Sequence, residues 1–238
     1  MIAIYRRELQ SYFTTAIGYV FMGVFLLLTS AMFYAEILQT RSSDILTFIG
    51  EMSYLWMLLT PVLTMRLVAE ERQRHTDQLL LTSPVSIPAI VAGKYLAAVT
   101  VMVLTVLLTF AYVAIVGVYG VLYPLELLCG YMGFLLQGCA FIAIDLFISA
   151  LMPGQVTAAV AAFGLNLSLW MMDLLAASVP DWAANICTFL SLYSRNEPFL
   201  MGQLSFASIG YDITVALAFL AATVYAMDTS RSGRRAGT

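Results

Sequence analysis

The densest group of ionisable side chains is Glu70, Glu71, Arg72, Arg74, His75 and Asp77, with Thr76 among them, in the stretch 69–78 that reads AEERQRHTDQ. Adjacent carboxylates followed by an arginine could serve as acid and base in an intramembrane protease, but such a site also draws several histidines from separate helices, and this chain has a single His. His75 within a charged run reads as a solvated side chain. Cys129, Cys139 and Cys187 are scattered and form no CxxC, so neither a metal site nor a disulfide framework is expected. Nucleotide hydrolysis on this chain is excluded too: no GxxxxGK[ST] occurs, and Gly93-Lys94 has Pro88 where the first glycine of a phosphate loop would stand. What the spacing supports is mechanical. Glu70 with Arg74 and Glu71 with Arg74 stand at i,i+4 and i,i+3, which predicts a short, rigid, exposed charged helix. Leu79, Leu80 and Leu81 follow it, and a charged helix topped by an apolar patch suits docking to another protein. The competing reading is a solvated loop whose charges only fix topology. Two more acids, Asp145 and Asp173, fall inside apolar segments, where an ionisable group costs several kcal/mol unless it meets water or a partner. They are candidate pathway residues, with a polar interhelical contact or an interfacial position as the alternative.

The elements that must hold these residues are membrane spans. Of 238 residues, 61% are hydrophobic and 11% charged, against about a quarter charged in a soluble domain. From 95 to 125 no Asp, Glu, Lys, Arg or His occurs. A continuous helix over that run would measure about 46 Å, against a hydrocarbon core of about 30 Å. Gly117, Gly120 and Pro124 break it, as Pro153-Gly154 breaks the chain further on. The pattern predicts an all-α membrane protein with six spans at 17–38, 47–67, 88–118, 125–151, 155–178 and 207–227. The first is too long for a signal peptide and lacks a cleavage site. Ser86 is the expected N-cap of the third. With a cytoplasmic N-terminus, nine of the 11 Lys and Arg lie inside and only Arg41 and Arg195 outside. Both termini are then cytoplasmic, with Arg231, Arg234 and Arg235 beside the headgroups. Residues 2–13 alternate Ile2, Tyr5, Leu9 and Phe13 with Arg6 and Arg7 at helical spacing, which predicts a helix lying in the interface. Residues 179–206 are too interrupted by Asp181, Arg195, Glu197 and Pro198 to span, yet are rich in aromatics, and read as external half-inserted helices. Gly18, Gly23, Gly130, Gly133, Gly138 and Gly164 are candidates for close helix approach. This composition argues against nucleic acid and for the lipid bilayer as a partner.

The segment MRLVAEERQRHTDQLLLTSPVSIPAIVAGKYLAA, residues 65–98, resembles the acidic-acidic-basic, threonine, leucine and Ser-Pro region of ABC-2 type transporter permeases. YRRELQSYFTTAIGYVFMGVFLLLTSAMFYAE, residues 5–36, is similar to the opening of the gliding-motility-associated branch of that family. His75 departs from the small or basic residue expected before Thr76. The resemblance implies a type V exporter-like fold, in which two six-span protomers, identical or different, pair in a bacterial inner membrane and each engages a cytoplasmic ABC ATPase. It implies that 2–13, with Tyr5, Arg6 and Arg7, is an elbow helix, and that 69–78, with Glu70, Glu71, Arg72, Arg74, His75, Thr76 and Asp77, is the coupling helix that takes up ATPase motion. ATP and Mg²⁺ would sit on that separate ATPase, and this chain would hold no cofactor. A second membrane subunit with an external domain is a further implied partner. Two other readings compete with an exporter subunit. A secondary transporter would use Asp145 and Asp173 for proton coupling, but requires broken helices and an internal repeat, and none is seen between 1–119 and 120–238. A non-transporting mechanical scaffold would show a dimer interface closed by bulky side chains.

Overall fold

The computed structural model describes residues 1–73, 86–176 and 180–235. Among them the chain is helical with no strand: α1 Ile2–Thr14, α2 Ala16–Phe33, α3 Ile45–Thr64, α4 Ala69–Gln73, α5 Ile87–Tyr119, α6 Pro124–Leu151, α7 Gln155–Ala176, α8 Asp181–Leu190, α9 Leu192–Leu200 and α10 Phe206–Arg235. Among the described residues six helical segments are long and apolar enough to cross a membrane, namely Ala16–Leu38, Ile45–Gln73, Ile87–Tyr119, Pro124–Leu151, Gln155–Met172 and Phe206–Thr229. The last helix runs on past the expected 227 to Arg235.

Local chemistry sets most boundaries. Thr15 adopts an extended backbone between α1 and α2, and the chain folds back so tightly that a Cβ on Gly18 would lie 2.6 Å from the Tyr12 carbonyl oxygen. A π-helical turn, Tyr34–Leu38, prolongs α2. Asp44 caps α3, its carboxylate accepting from the Thr47 backbone N–H at 3.2 Å. Ser86 does occupy the N-cap of α5, but its side chain makes no capping bond; Pro88 in the first turn starts that helix. Gly120 ends α5 against Ser43, whose Oγ would lie 2.5 Å from an added Cβ, and Pro124 opens α6. Gly202, at φ +72°, turns the chain after α9 beside Glu126.

The core centres on Trp56 of α3, fully buried, with Phe21, Phe25 and Phe134 edge-on around it at 5.5, 5.4 and 5.9 Å. Gly138 makes room for this cluster, since a Cβ there would lie 2.5 Å from Met102 Sδ and 3.2 Å from Trp56 Nε1. Gly133 lets α9 dock, because a Cβ would lie 2.6 Å from Phe199 Cβ, and beside it Asn196 donates to Gln137 at 2.7 Å. Gly130 is similarly crowded by Leu46 and Ile49. Gly23 and Gly164 are not close-approach glycines, however, for nothing lies within 4 Å of a Cβ at either. They sit on the outward sides of α2 and α7, which a list of glycines cannot distinguish from the inward sides.

Candidate functional site

At the end of the bundle that carries α1, the short α4 packs among α1, the first turns of α5, the end of α6 and the start of α7. Lys94, on the second turn of α5, is fully buried, and this dictates the arrangement. A buried ammonium must be paired and hydrogen-bonded. Its Nζ meets Glu71 Oε1 at 2.9 Å and Glu8 Oε1 at 3.2 Å, and donates to the Leu67 carbonyl. Arg7 bridges the same two carboxylates, Nη2 lying 2.8 Å from Glu8 Oε1 and 2.8 Å from Glu71 Oε1. Two cations and two carboxylates from α1, α4 and α5 therefore close into one hub. Burial alone would raise the Glu8 carboxyl, but Lys94 and Arg7 outweigh it and hold Glu8 below its ordinary range. Burial likewise works to lower the Arg7 guanidinium, and its bonds to Glu8 and Glu71 reverse the sign.

A second set of contacts braces the hub. Arg66 donates to Thr15 Oγ1 and Ser11 Oγ, both at 3.0 Å, pairs with Glu70 at 3.4 Å and lies over the Tyr12 ring. Tyr12 is buried and donates to the Leu63 carbonyl at 2.8 Å, and that burial pushes its hydroxyl pKa up. Ser149 Oγ accepts from the Val68 and Ala69 N–H groups at 3.3 and 3.1 Å, satisfying two of the orphan donors at the start of α4. Arg72 donates to the Leu151 carbonyl at 3.3 Å, and Gln73 accepts from the Gln155 N–H at 3.2 Å. Along α5, Tyr5 shares a hydrogen bond with Thr100 at 3.0 Å, and Gly93 fits against Ile4 and the Tyr5 backbone.

The residues singled out from the sequence divide accordingly. Glu70, Glu71, Arg72, Tyr5 and Arg7 come together here, while Arg6 is exposed. Glu70 and Glu71 are not on an exposed helix as expected: their side chains are 18% and 17% accessible, because the bundle supplies their partners. Arg74, His75, Thr76 and Asp77 lie outside the described residues, so their expected pairings with Glu70 and Glu71 do too. Asp173 belongs to the last turn of α7. Asp145 is buried in α6 and accepts from Asn166 of α7 at 2.9 Å, and Asn166 also makes a 3.5 Å contact to the Met57 carbonyl. Pro61 has no N–H to give that carbonyl, four residues earlier in α3, so Asn166 fills a gap that proline creates. Glu8, Lys94, Arg66 and Ser149 are the residues that sequence reasoning misses. Lys94 carries a signal, as a lone cation inside the start of an apolar span that must find anions somewhere.

The arrangement joins helices. Through these contacts α4 is bonded to α1 by Glu71, Glu8 and Arg7, to α5 by Lys94, and to α6 and α7 by Arg72, Ser149 and Gln73. No curated protein matches the chain. A family model described as "ABC-2 family transporter protein" matches residues 7–227.

Proposed function

The chain belongs to the ABC-2 transporter family, and from that premise we propose that this membrane permease couples ATP hydrolysis on a separate cytoplasmic ATPase to export, with the charged hub as the joint that carries the motion. The observation that carries this reading is the fully buried Lys94, bonded at once to α1 through Glu8 and to α4 through Glu71. A loop that only fixed topology would have no need of a buried cation tying three elements together. In this reading the segment 69–78 is the coupling helix, with Arg74, His75, Thr76 and Asp77 facing the ATPase and Glu70, Glu71 and Arg72 rooting it in the bundle. Residues 2–13 are the elbow, with Tyr5 and Arg7 fastening it to α5 and α4, and Arg6 turned to the headgroups. ATP and Mg²⁺ belong to the partner. A second permease protomer, identical or different, completes the transporter. The bias of the basic residues supports a cytoplasmic position for this face, the family resemblance supports a bacterial inner membrane, and residues 5–36 favour the gliding-motility-associated branch. Burial of Asp145 against Asn166 supports a helix-locking role for that acid rather than proton transport.

The test is a photo-activated cross-linker placed at His75 in the assembled complex. Capture of the ATPase, strengthened or weakened when nucleotide is added, is the expected result. Cross-links to lipid alone, with the ATPase present and active, would overturn the assignment.

A further inference from the structure

The end of the bundle opposite the hub carries a groove that shares no residue with the hub. It opens between the π-helical turn after α2, the 39–44 loop and the last turns of α5, and measures about 250 Å³. Its lining separates into two chemistries. Ile37, Leu38 and Ile115 make an aliphatic wall, which continues onto the outward-facing Tyr119, 86% exposed. Arg41 stands on the rim with the Ser42 and Ser43 hydroxyls, and among the described residues no carboxylate lines the groove. Asp44 and Glu126 line a neighbouring depression instead, which touches this one at Ser43.

Arg41 itself is unusual. It is the only non-glycine residue at positive φ among those described, at +55°. A side chain with a Cβ disfavours that backbone, and such strain concentrates where a group must be aimed. The loop around it is built rather than loose: the Ser42 N–H donates to Thr40 Oγ1 at 3.3 Å, the Asp44 N–H to Ser42 Oγ at 3.1 Å, and Ser43 abuts Gly120. Among the described residues Arg41 has no anionic partner. Two apolar segments long enough to cross a bilayer, Ala16–Leu38 and Ile87–Tyr119, end at this groove, and a cation just past the end of such a span falls in the headgroup region.

We propose that this groove binds a membrane phospholipid, its headgroup phosphate on the Arg41 guanidinium and one acyl chain along Ile37, Leu38 and Ile115. A guanidinium matches two phosphate oxygens at once. A phospholipid is favoured over a free anion because the aliphatic wall runs without a break into the lipid-facing surface, and an exposed lone arginine holds inorganic phosphate weakly.

The purified complex, stripped of lipid in mild detergent, is titrated with phosphatidylglycerol and read by native mass spectrometry. Arg41→Gln should weaken the tightest lipid-binding step about tenfold. Ile115→Trp, which fills the groove and leaves the arginine in place, should weaken it similarly. Arg195→Gln, removing the cation that lies over the Phe189 and Tyr211 rings, should leave it unchanged. Glycerol 3-phosphate should not displace the lipid. Equal affinity in wild type and Arg41→Gln, or an equal loss in Arg195→Gln, would overturn the proposal. Displacement by glycerol 3-phosphate at concentrations matching the lipid would reduce the site to a simple anion contact and overturn it as well.

Discussion

Lys94→Met removes the cation at the centre of the hub and keeps the stem that packs inside α5. The Lys94 Nζ lies 2.9 Å from Glu71 and 3.2 Å from Glu8 and has no exposure to water. Each contact is worth about 5 kcal/mol of gross attraction at an effective dielectric constant of about 20, and desolvation cancels much of it. Breaking a buried pair on one side costs about 3–5 kcal/mol. Arg7 stays on both carboxylates, 55% exposed, and partly compensates, which puts the expected loss near the lower figure, about 3 kcal/mol. Glu71→Gln together with Lys94→Met removes both charges and should recover part of that loss, with a coupling energy of about 1–2 kcal/mol. The orphaned Leu67 carbonyl is common to the single and double variants and drops out of the cycle. Reversible SDS-titrated unfolding, followed by tryptophan fluorescence, supplies the four stabilities. The coupled ATPase rate of the assembled complex should fall several-fold in Lys94→Met while the spans stay inserted. Additivity of the two substitutions within about 0.5 kcal/mol would mean that Lys94 and Glu71 do not sense each other, and the hub would not be the joint.

Gly138→Leu should destabilise the bundle by about 2 kcal/mol or more, because Met102 Sδ and the Trp56 ring leave no room for a side chain, and an SDS unfolding curve reads the loss. Asn166→Ala leaves the Met57 carbonyl without its side-chain donor and takes one donor from the Asp145 carboxyl, and should cost about 1–3 kcal/mol. In a Pro61→Ala background the same substitution should cost less by that assay, because the introduced alanine brings a backbone N–H that serves the Met57 carbonyl. Glu8 is held below its ordinary 4.5, so its contribution to stability is complete above that value and is lost as pH falls through the lower folded value. The thermal midpoint in non-ionic detergent should therefore drop on acidification below about 4.5 in wild type, and Glu8→Gln should flatten that part of the profile.

The spans are legible because their signal is local: a long apolar run and the Gly or Pro that ends it are both written in consecutive residues. The hub is not, because its bonds join residues far apart in sequence, 86 positions between Glu8 and Lys94 and 64 between Arg7 and Glu71. Helical spacing offers partners three and four residues away, so it pairs Glu70 and Glu71 with Arg74 and leaves Lys94 as a topology marker. Glu8 looks like part of a water-facing stripe, and nothing in α1 alone tells a stripe facing water from one facing another charged element. The Asn166 contact has a cue in Pro61, which frees a carbonyl one turn back, but not the identity of the helix that answers it. The inward and outward glycines differ only in what packs against them.

Engagement of an ATPase by the segment rooted in the hub is what the proposed coupling stands on. The experiment is isolation of the tagged chain from its native membrane in mild detergent, with mass spectrometry of what stays bound. The expected result is a co-purifying protein with a Walker A motif, lost in an Arg74→Glu, Asp77→Lys variant that leaves Glu8, Glu71 and Lys94 intact. Recovery of the chain without such a protein, or undiminished recovery of it with the variant, would rule out coupling through this segment.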